Sequence, residues 1–203
     1  MQPLKKIVVI GPESTGKSTL CEQLATHYKT LWVKEYAREY LLRHGMKYSY
    51  KDLLTIAKGQ LAQEDSMAME LEQARAAKKE GTPDLAGPAN GVQPHPLLFV
   101  DTDMYVMRVW GEFVFGNCDP WILKQIADRR YDGYLLCRTD LPWVKDELRE
   151  YPDLINREKL FHIYKDSMVN QNTPWAEIGG EADQRLKAAV HVVNTLTRAP
   201  QAP

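Results

Sequence analysis

Gly11, Gly16, Lys17 and Ser18 fill every fixed position of the pattern G-x-x-x-x-G-K-S/T, and no other feature constrains this chain as strongly. Such a loop works only between a buried strand and the first turn of a helix. The glycines let the backbone curl so that successive N–H groups converge on phosphate oxygens, and the helix N-terminus adds its positive dipole end. Both flanks are present. Residues 5–10 (Lys-Lys-Ile-Val-Val-Ile) are a short β-branched run, and residues 17–28 are a helix-forming stretch. An incidental glycine turn would carry neither flank.

The rest of the chain continues the alternation. Residues 31–34 predict a second strand and 35–43 a short helix. Residues 50–79, rich in Ala, Leu, Glu, Gln, Met and Lys, predict one long helix or two abutting ones. Further strands are expected at 97–100, 134–137 and 175–178, with helices from 104 and over 181–196. Strands that alternate with helices form a parallel sheet covered on both faces, with ligands in the crevice beyond the strands' carboxyl ends. Residues 81–96 hold four prolines and three glycines and read as a mobile surface insertion. The charged residues 141–165 read as a lid, and residues 1–199 as a single domain.

Composition narrows the class further. The 203 residues are 44% hydrophobic, and 26 basic side chains face 27 acidic ones, so neither nucleic acid nor an anionic membrane is called for as a bulk partner. The apolar runs are four residues long, far short of the roughly 18 a membrane span needs. Cys21, Cys118 and Cys137 are odd in number and widely spaced, as cytoplasmic thiols are, with no disulfide or zinc framework. No motif speaks to oligomeric state.

Within a nucleotide site of this kind, the residues of the loop itself (Gly11, Pro12, Glu13, Ser14, Thr15, Gly16, Lys17, Ser18 and Thr19) are expected to bind ATP. Lys17 supplies a point charge for the outer phosphates. Ser18 is the expected magnesium ligand, with Asp101, at the end of the 97–100 strand, completing the metal's carboxylate shell. Asp103 is either the N-cap of the next helix or a substrate contact. No N-K-x-D or D-x-x-G segment follows, which disfavours a GTP switch, whereas the parts of a small-molecule kinase all have candidates. Glu35, at the end of the second strand, can accept a hydroxyl proton, or else it is an exposed helix-start glutamate. Arg149 and Arg157, in the expected lid, suit charge developing on a transferring phosphoryl group, or else are solvated surface residues. Tyr36, Trp110, Trp121 and Trp143 are packing aromatics or ligand platforms.

Several segments together resemble a known family, the nicotinamide riboside kinase domain of bacterial NAD-biosynthesis regulators of NadR type. They are the phosphate loop, Glu35-Tyr-Ala-Arg38-Glu-Tyr40, Ala57-Lys-Gly-Gln60, Phe99-Val-Asp101-Thr-Asp103, Tyr131-Asp132, Pro142-Trp-Val144, Arg149, Arg157 and Arg185. The resemblance implies a P-loop kinase fold, a three-layer α/β sandwich with a five-stranded parallel sheet, helices on both faces and a helical lid. It implies transfer of the ATP γ-phosphate to the ribose 5′-hydroxyl of nicotinamide riboside, with magnesium. It also implies Glu35 as base, Asp101 in the magnesium shell, Arg149 and Arg157 in the lid and Arg185 near the adenine. Glu35, Tyr36, Arg38, Asp103 and Trp121 are the residues expected on the substrate side. The insertion at 81–96 is longer than the resemblance leads one to expect. No H-x-G-H motif or helix-turn-helix segment accompanies it, so neither adenylyl transfer nor transcriptional regulation is expected. Another nucleoside or small alcohol as acceptor, and an ATP-binding regulatory module without an acceptor, are the competing readings.

Overall fold

A computed structural model describes residues 2–81, 96–145 and 153–197. Five parallel strands, β1 (Lys5–Ile10), β2 (Leu31–Val33), β3 (Leu97–Asp101), β4 (Gly133–Cys137) and β5 (Trp175–Ile178), form one sheet in the order β2-β3-β1-β4-β5. The alternation of side chains along each strand divides the core in two. Ile7, Val9, Phe99 and Leu135 face one layer, where they meet Leu20 and Leu24 of α1 (Lys17–Tyr28) and Ala189 and Val193 of α7 (Ala182–Thr197). Val8, Ile10, Val100 and Leu136 face the other, under α2 (Tyr36–His44), α3 (Tyr50–Gly81), α4 (Met104–Phe115), α5 (Pro120–Asp128) and α6 (Leu154–Val169). Strands buried on both faces must be apolar throughout, which is why β1 and β3 read as continuous hydrophobic runs.

The long predicted helix is one element of 32 residues. Its start is a capping box in which the Ser49 N–H donates to Asp52 Oδ2 at 2.7 Å, and Asp52 also accepts from the Tyr40 hydroxyl at 2.6 Å, tying α3 to α2. Two features differ from the sequence reading. Residues 120–128, left unassigned there, form α5, started by Asp119 as N-cap to the Trp121 N–H and by Pro120 in the first turn. Part of the expected lid is core: Leu160 and Tyr164 of α6 pack beneath the sheet, as does Met168 just beyond it. The expected insertion, apart from its end residues, and residues 146–152 of the lid, including Arg149, lie outside the described residues.

At the amino edge of the sheet a polar knot replaces apolar packing. The Glu64 carboxylate, 1% exposed, accepts from Lys6 Nζ at 2.8 Å, Tyr131 Oη at 2.8 Å and Arg129 Nη1 at 3.3 Å. It pins α3 to the start of β1 and to the approach to β4. Glu64→Leu leaves Lys6 without its counter-charge and Tyr131 without its acceptor, while Arg129 keeps Asp65, and it is expected to lower unfolding free energy by about 3 kcal/mol in urea titrations.

Candidate active site

A parallel sheet delivers the carboxyl ends of all its strands to one edge, so order alone decides what meets there. The loop from Gly11 leaves central β1, Asp101 ends the adjacent β3, and Glu35 follows outer β2. Gly11, at φ 139°, passes so close to β4 that a Cβ would stand 2.7 Å from the Cys137 carbonyl oxygen, and no side chain fits there. Gly16, at φ 76°, is the N-cap of α1 and makes no side-chain cap, which leaves the helix's first N–H groups for an anion. Ser14 takes a left-handed φ of 56° without being glycine, a strained conformation typical of functional loops.

A loop that turns N–H groups toward a ligand must find donors for its carbonyls. The Thr15 hydroxyl donates to Pro12 O at 2.7 Å, and Lys17 Nζ donates to the same oxygen at 2.9 Å. The Ser14 carbonyl accepts from Arg157 Nη2 at 3.2 Å and the Thr15 carbonyl from Arg185 Nη1 at 3.1 Å, each from a guanidinium 3% exposed. Arg157 also holds the Leu141 carbonyl, and the Val144 N–H donates to Ser14 Oγ at 3.0 Å, so the chain after β4 is docked on the loop. Arg185 further donates to the carbonyls of Gly180, Ile178 and Arg138 and pairs with Asp140. The expected adenine contact is thus a brace beneath the phosphate loop. Arg157, expected as a mobile lid arginine, is here part of the loop's scaffold.

Asp101 is wholly buried beside the loop. Ser18 Oγ donates to its Oδ2 at 2.5 Å, and Oδ1 has no hydrogen-bond partner among the described residues. Burial raises the carboxyl's pKa above the ordinary range, and the charge of Glu35 pushes it the same way, against Lys17 and Ser18. A buried carboxylate with one unpaired oxygen next to a hydroxyl suits a hard, oxygen-seeking cation. Among the described residues no group of three or more His, Cys, Asp or Glu gathers to hold a metal.

A cavity of about 220 Å³ runs from loop residues 11–19 past Glu35 and Arg38 into an apolar chamber. Val106, Val109, Trp110, Phe113 and Val114 of α4 wall it, with Leu160 and Tyr164 of α6. Trp110 is set by its Nε1, which donates to the Tyr48 hydroxyl at 2.9 Å. Burial raises the Tyr164 phenol's pKa, and the charges of Glu35, Asp103 and Glu13 add to the effect. The α4 wall escapes a helical-period reading because this helix is apolar around most of its circumference, with one side on the sheet and the other on the cavity.

Three expected substrate residues stand elsewhere. Asp103, 1% exposed, is the N-cap of α4, accepting from the Tyr105 and Val106 N–H groups, and it accepts from Tyr134 Oη at 2.9 Å. Trp121 packs on the core with Lys58 Nζ over its ring, away from the cavity. The Tyr36 ring lies against Gly59, where a Cβ would meet it at 2.2 Å. Of the substrate set, Glu35 and Arg38 face the cavity.

A phosphate cradle between strand and helix, with a carboxylate at the end of the neighbouring strand, defines a P-loop nucleotide-binding protein. More particularly, the chain belongs to the AAA domain family, which it matches over residues 6–185. It is 25% identical to the trifunctional NAD biosynthesis/regulator protein NadR of Escherichia coli K12, over 95% of this chain and 43% of that protein. It therefore spans less than half the length of this relative. A crystal structure of NadR protein in complex with NR superposes with a TM-score of 0.72 at 22% identity, covering 98% of this chain and 52% of that one. A NadR structure with NAD and AMP-PNP gives 0.65, also at 22% identity, over 98% and 51%. Thymidylate kinase of Ehrlichia chaffeensis gives 0.59 at 12% identity, over 95% and 99%. The expected five-stranded fold of P-loop kinases is the fold observed.

The burial of Asp103 has a thermodynamic consequence. Desolvation raises its pKa from 3.8 to about 7, with Tyr134 and the N-cap bonds opposing. Between those values the folded state holds a proton that the unfolded chain has lost, so stability falls as pH rises through this window. Asp103→Asn keeps the cap and removes this contribution. Melting temperatures measured from pH 4.5 to 7.5 are expected to decline less steeply in the variant, with Asp101 supplying the remaining slope.

Proposed function

We propose that the protein is an ATP-dependent kinase that phosphorylates the ribose 5′-hydroxyl of nicotinamide riboside, yielding nicotinamide mononucleotide in the cytoplasm. The observation that carries this reading is the cavity of about 220 Å³ that joins the phosphate loop, past Glu35, to the apolar residues of α4 and α6. A hydrolase needs a water site next to its phosphates, and a regulatory module needs no second chamber. The likeness to NadR, solved with NR and with AMP-PNP, supports both ligands. The chamber's walls are mostly apolar and aromatic, and the Trp110 indole N–H is already engaged by Tyr48. The aromatic lining of Trp110 and Phe113 suits a flat, cationic pyridinium ring.

Lys17 gives up the Pro12 carbonyl for a phosphate oxygen as the nucleotide enters. Ser18 and Asp101 would hold a magnesium ion, which when bound neutralises charge on the outer phosphates. Glu35 orients the 5′-hydroxyl and takes its proton while the hydroxyl oxygen bonds to the γ-phosphorus and the bond to the ADP oxygen breaks. Arg157 and Arg185 hold the loop rigid, so that its N–H groups are set before charge develops. Arg149 is the proposed further cation over the transferring group.

ADP release with ATP and magnesium should rise strongly with nicotinamide riboside and little with purine, pyrimidine or deoxynucleosides. Stimulation by another nucleoside would reassign the acceptor, and release indifferent to every acceptor would favour the regulatory reading. Lys17→Ala is expected to abolish transfer. Glu35→Gln should lower kcat about 100-fold or more while ATP affinity, followed with a fluorescent analogue, stays within about twofold.

A further inference from the structure

Hydrogen bonding between β2 and β3 ends at the Val33–Val100 pair, before either strand reaches its carboxylate. Nothing in the ladder therefore sets where Glu35 stands relative to Asp101. Helix α2, which begins after Glu35, is nine residues long and buries only Ala37 and Leu41. The rest of its anchoring comes from the partly buried Tyr36 and Tyr40, the latter bonded to Asp52.

The side chain of Gln60, fully buried on α3, bridges this gap. Its Oε1 accepts from the Tyr36 N–H at 2.7 Å, and its Nε2 donates to the Asp101 carbonyl at 3.1 Å. One rigid amide thus joins the residue after Glu35 to the backbone of Asp101. The neighbouring Gly59 leaves room for this approach, because a Cβ there would collide with the Tyr36 ring. The amide also satisfies the Tyr36 N–H, the first of the helix's orphan donors, which an N-cap side chain, reaching the second or third, does not serve. Glu35 is the N-cap of α2 but makes no side-chain cap bond. Its carboxylate faces the cavity. A buried amide without partners is costly, so the bridge holds only in one geometry.

We propose that Gln60 is a positioning residue that sets the spacing between the Glu35 and Asp101 carboxylates, and with it the rate of phosphoryl transfer. This rests on the kinase reading above. Gln60→Met keeps the volume and removes both bonds; Gln60→Glu keeps the acceptor for Tyr36 and removes the donor to Asp101. With ATP, magnesium and nicotinamide riboside, both are expected to lower kcat about tenfold or more per nucleotide-binding site, counted by titration with a fluorescent ATP analogue whose affinity stays within about twofold. A merely structural role would cost folded protein and leave the rate per site at the wild-type value, and that result overturns the proposal. In a double-mutant cycle, Gln60→Met added to Glu35→Gln is expected to slow transfer little further, because both act through one carboxylate. Fully multiplicative losses count against it. If the Met variant does not fold, the Glu variant, which keeps the bond to α2, carries the test. Should the wild-type protein phosphorylate no nucleoside, the kinase reading falls separately. Crystal structures of wild type and Gln60→Glu then decide the matter, with an altered Glu35–Asp101 spacing supporting the proposal and an unchanged one refuting it.

Discussion

Backbone carbonyls that have no place in helix or sheet must still be satisfied, and around the phosphate loop this need organises the molecule. Three loop carbonyls, those of Pro12, Ser14 and Thr15, accept from four side chains drawn from the loop itself, α6 and α7. Arg157 and Arg185 come from the last quarter of the chain, so the loop near the N-terminus reaches its binding shape only when α6 and α7 have docked. Both arginines are buried, and the carbonyls of the loop and of the chain after β4 require their Nη donors. That requirement makes the loop stiff, and stiffness is what an electrostatic catalyst of phosphoryl transfer needs.

Carboxylates supply the opposing half of the electrostatics. Asp101 and Asp103 are both buried at the end of β3, yet they serve different ends. Asp103 spends both oxygens on the α4 N-terminus and Tyr134, while Asp101, beside Ser18, keeps one oxygen without a partner among the described residues. Two residues of separation along a turn, with Thr102 at φ 77° between them, send one carboxylate into structure and the other toward the phosphate loop.

The elements that bury the most were the most legible in the sequence. The apolar runs of β1, β3 and β4, the helix after the loop and the long α3 all stand within a residue or two of where the patterns put them. Short or doubly apolar elements were less legible. Helix α5 carries a start signal, Asp119-Pro120, but few turns of amphipathic pattern, and α6 carries so much charge that its core face at Leu160 and Tyr164 read as lid. Among site residues, the phosphate loop, Glu35 and Asp101 were visible because a strand end in a parallel sheet has a known destination. Trp121 and Tyr36 were misplaced because an aromatic residue near a functional edge carries no signal of which way its ring turns.

By itself the sequence determined the chemistry of phosphate binding and the parallel, two-layered cover of the sheet, since both follow from local spacing: glycines that free the backbone, a lysine at one fixed offset, strands apolar on both faces. Only tertiary structure decided the strand order that sets Glu35, Asp101 and the loop side by side, the α4 and α6 walls of the chamber, and the use of Gln60, Arg157 and Arg185 as struts. These are contacts between residues 24 to 170 positions apart, and whether a buried polar side chain binds a ligand or braces a backbone depends on which unsatisfied carbonyl or N–H the fold brings within 3 Å of it.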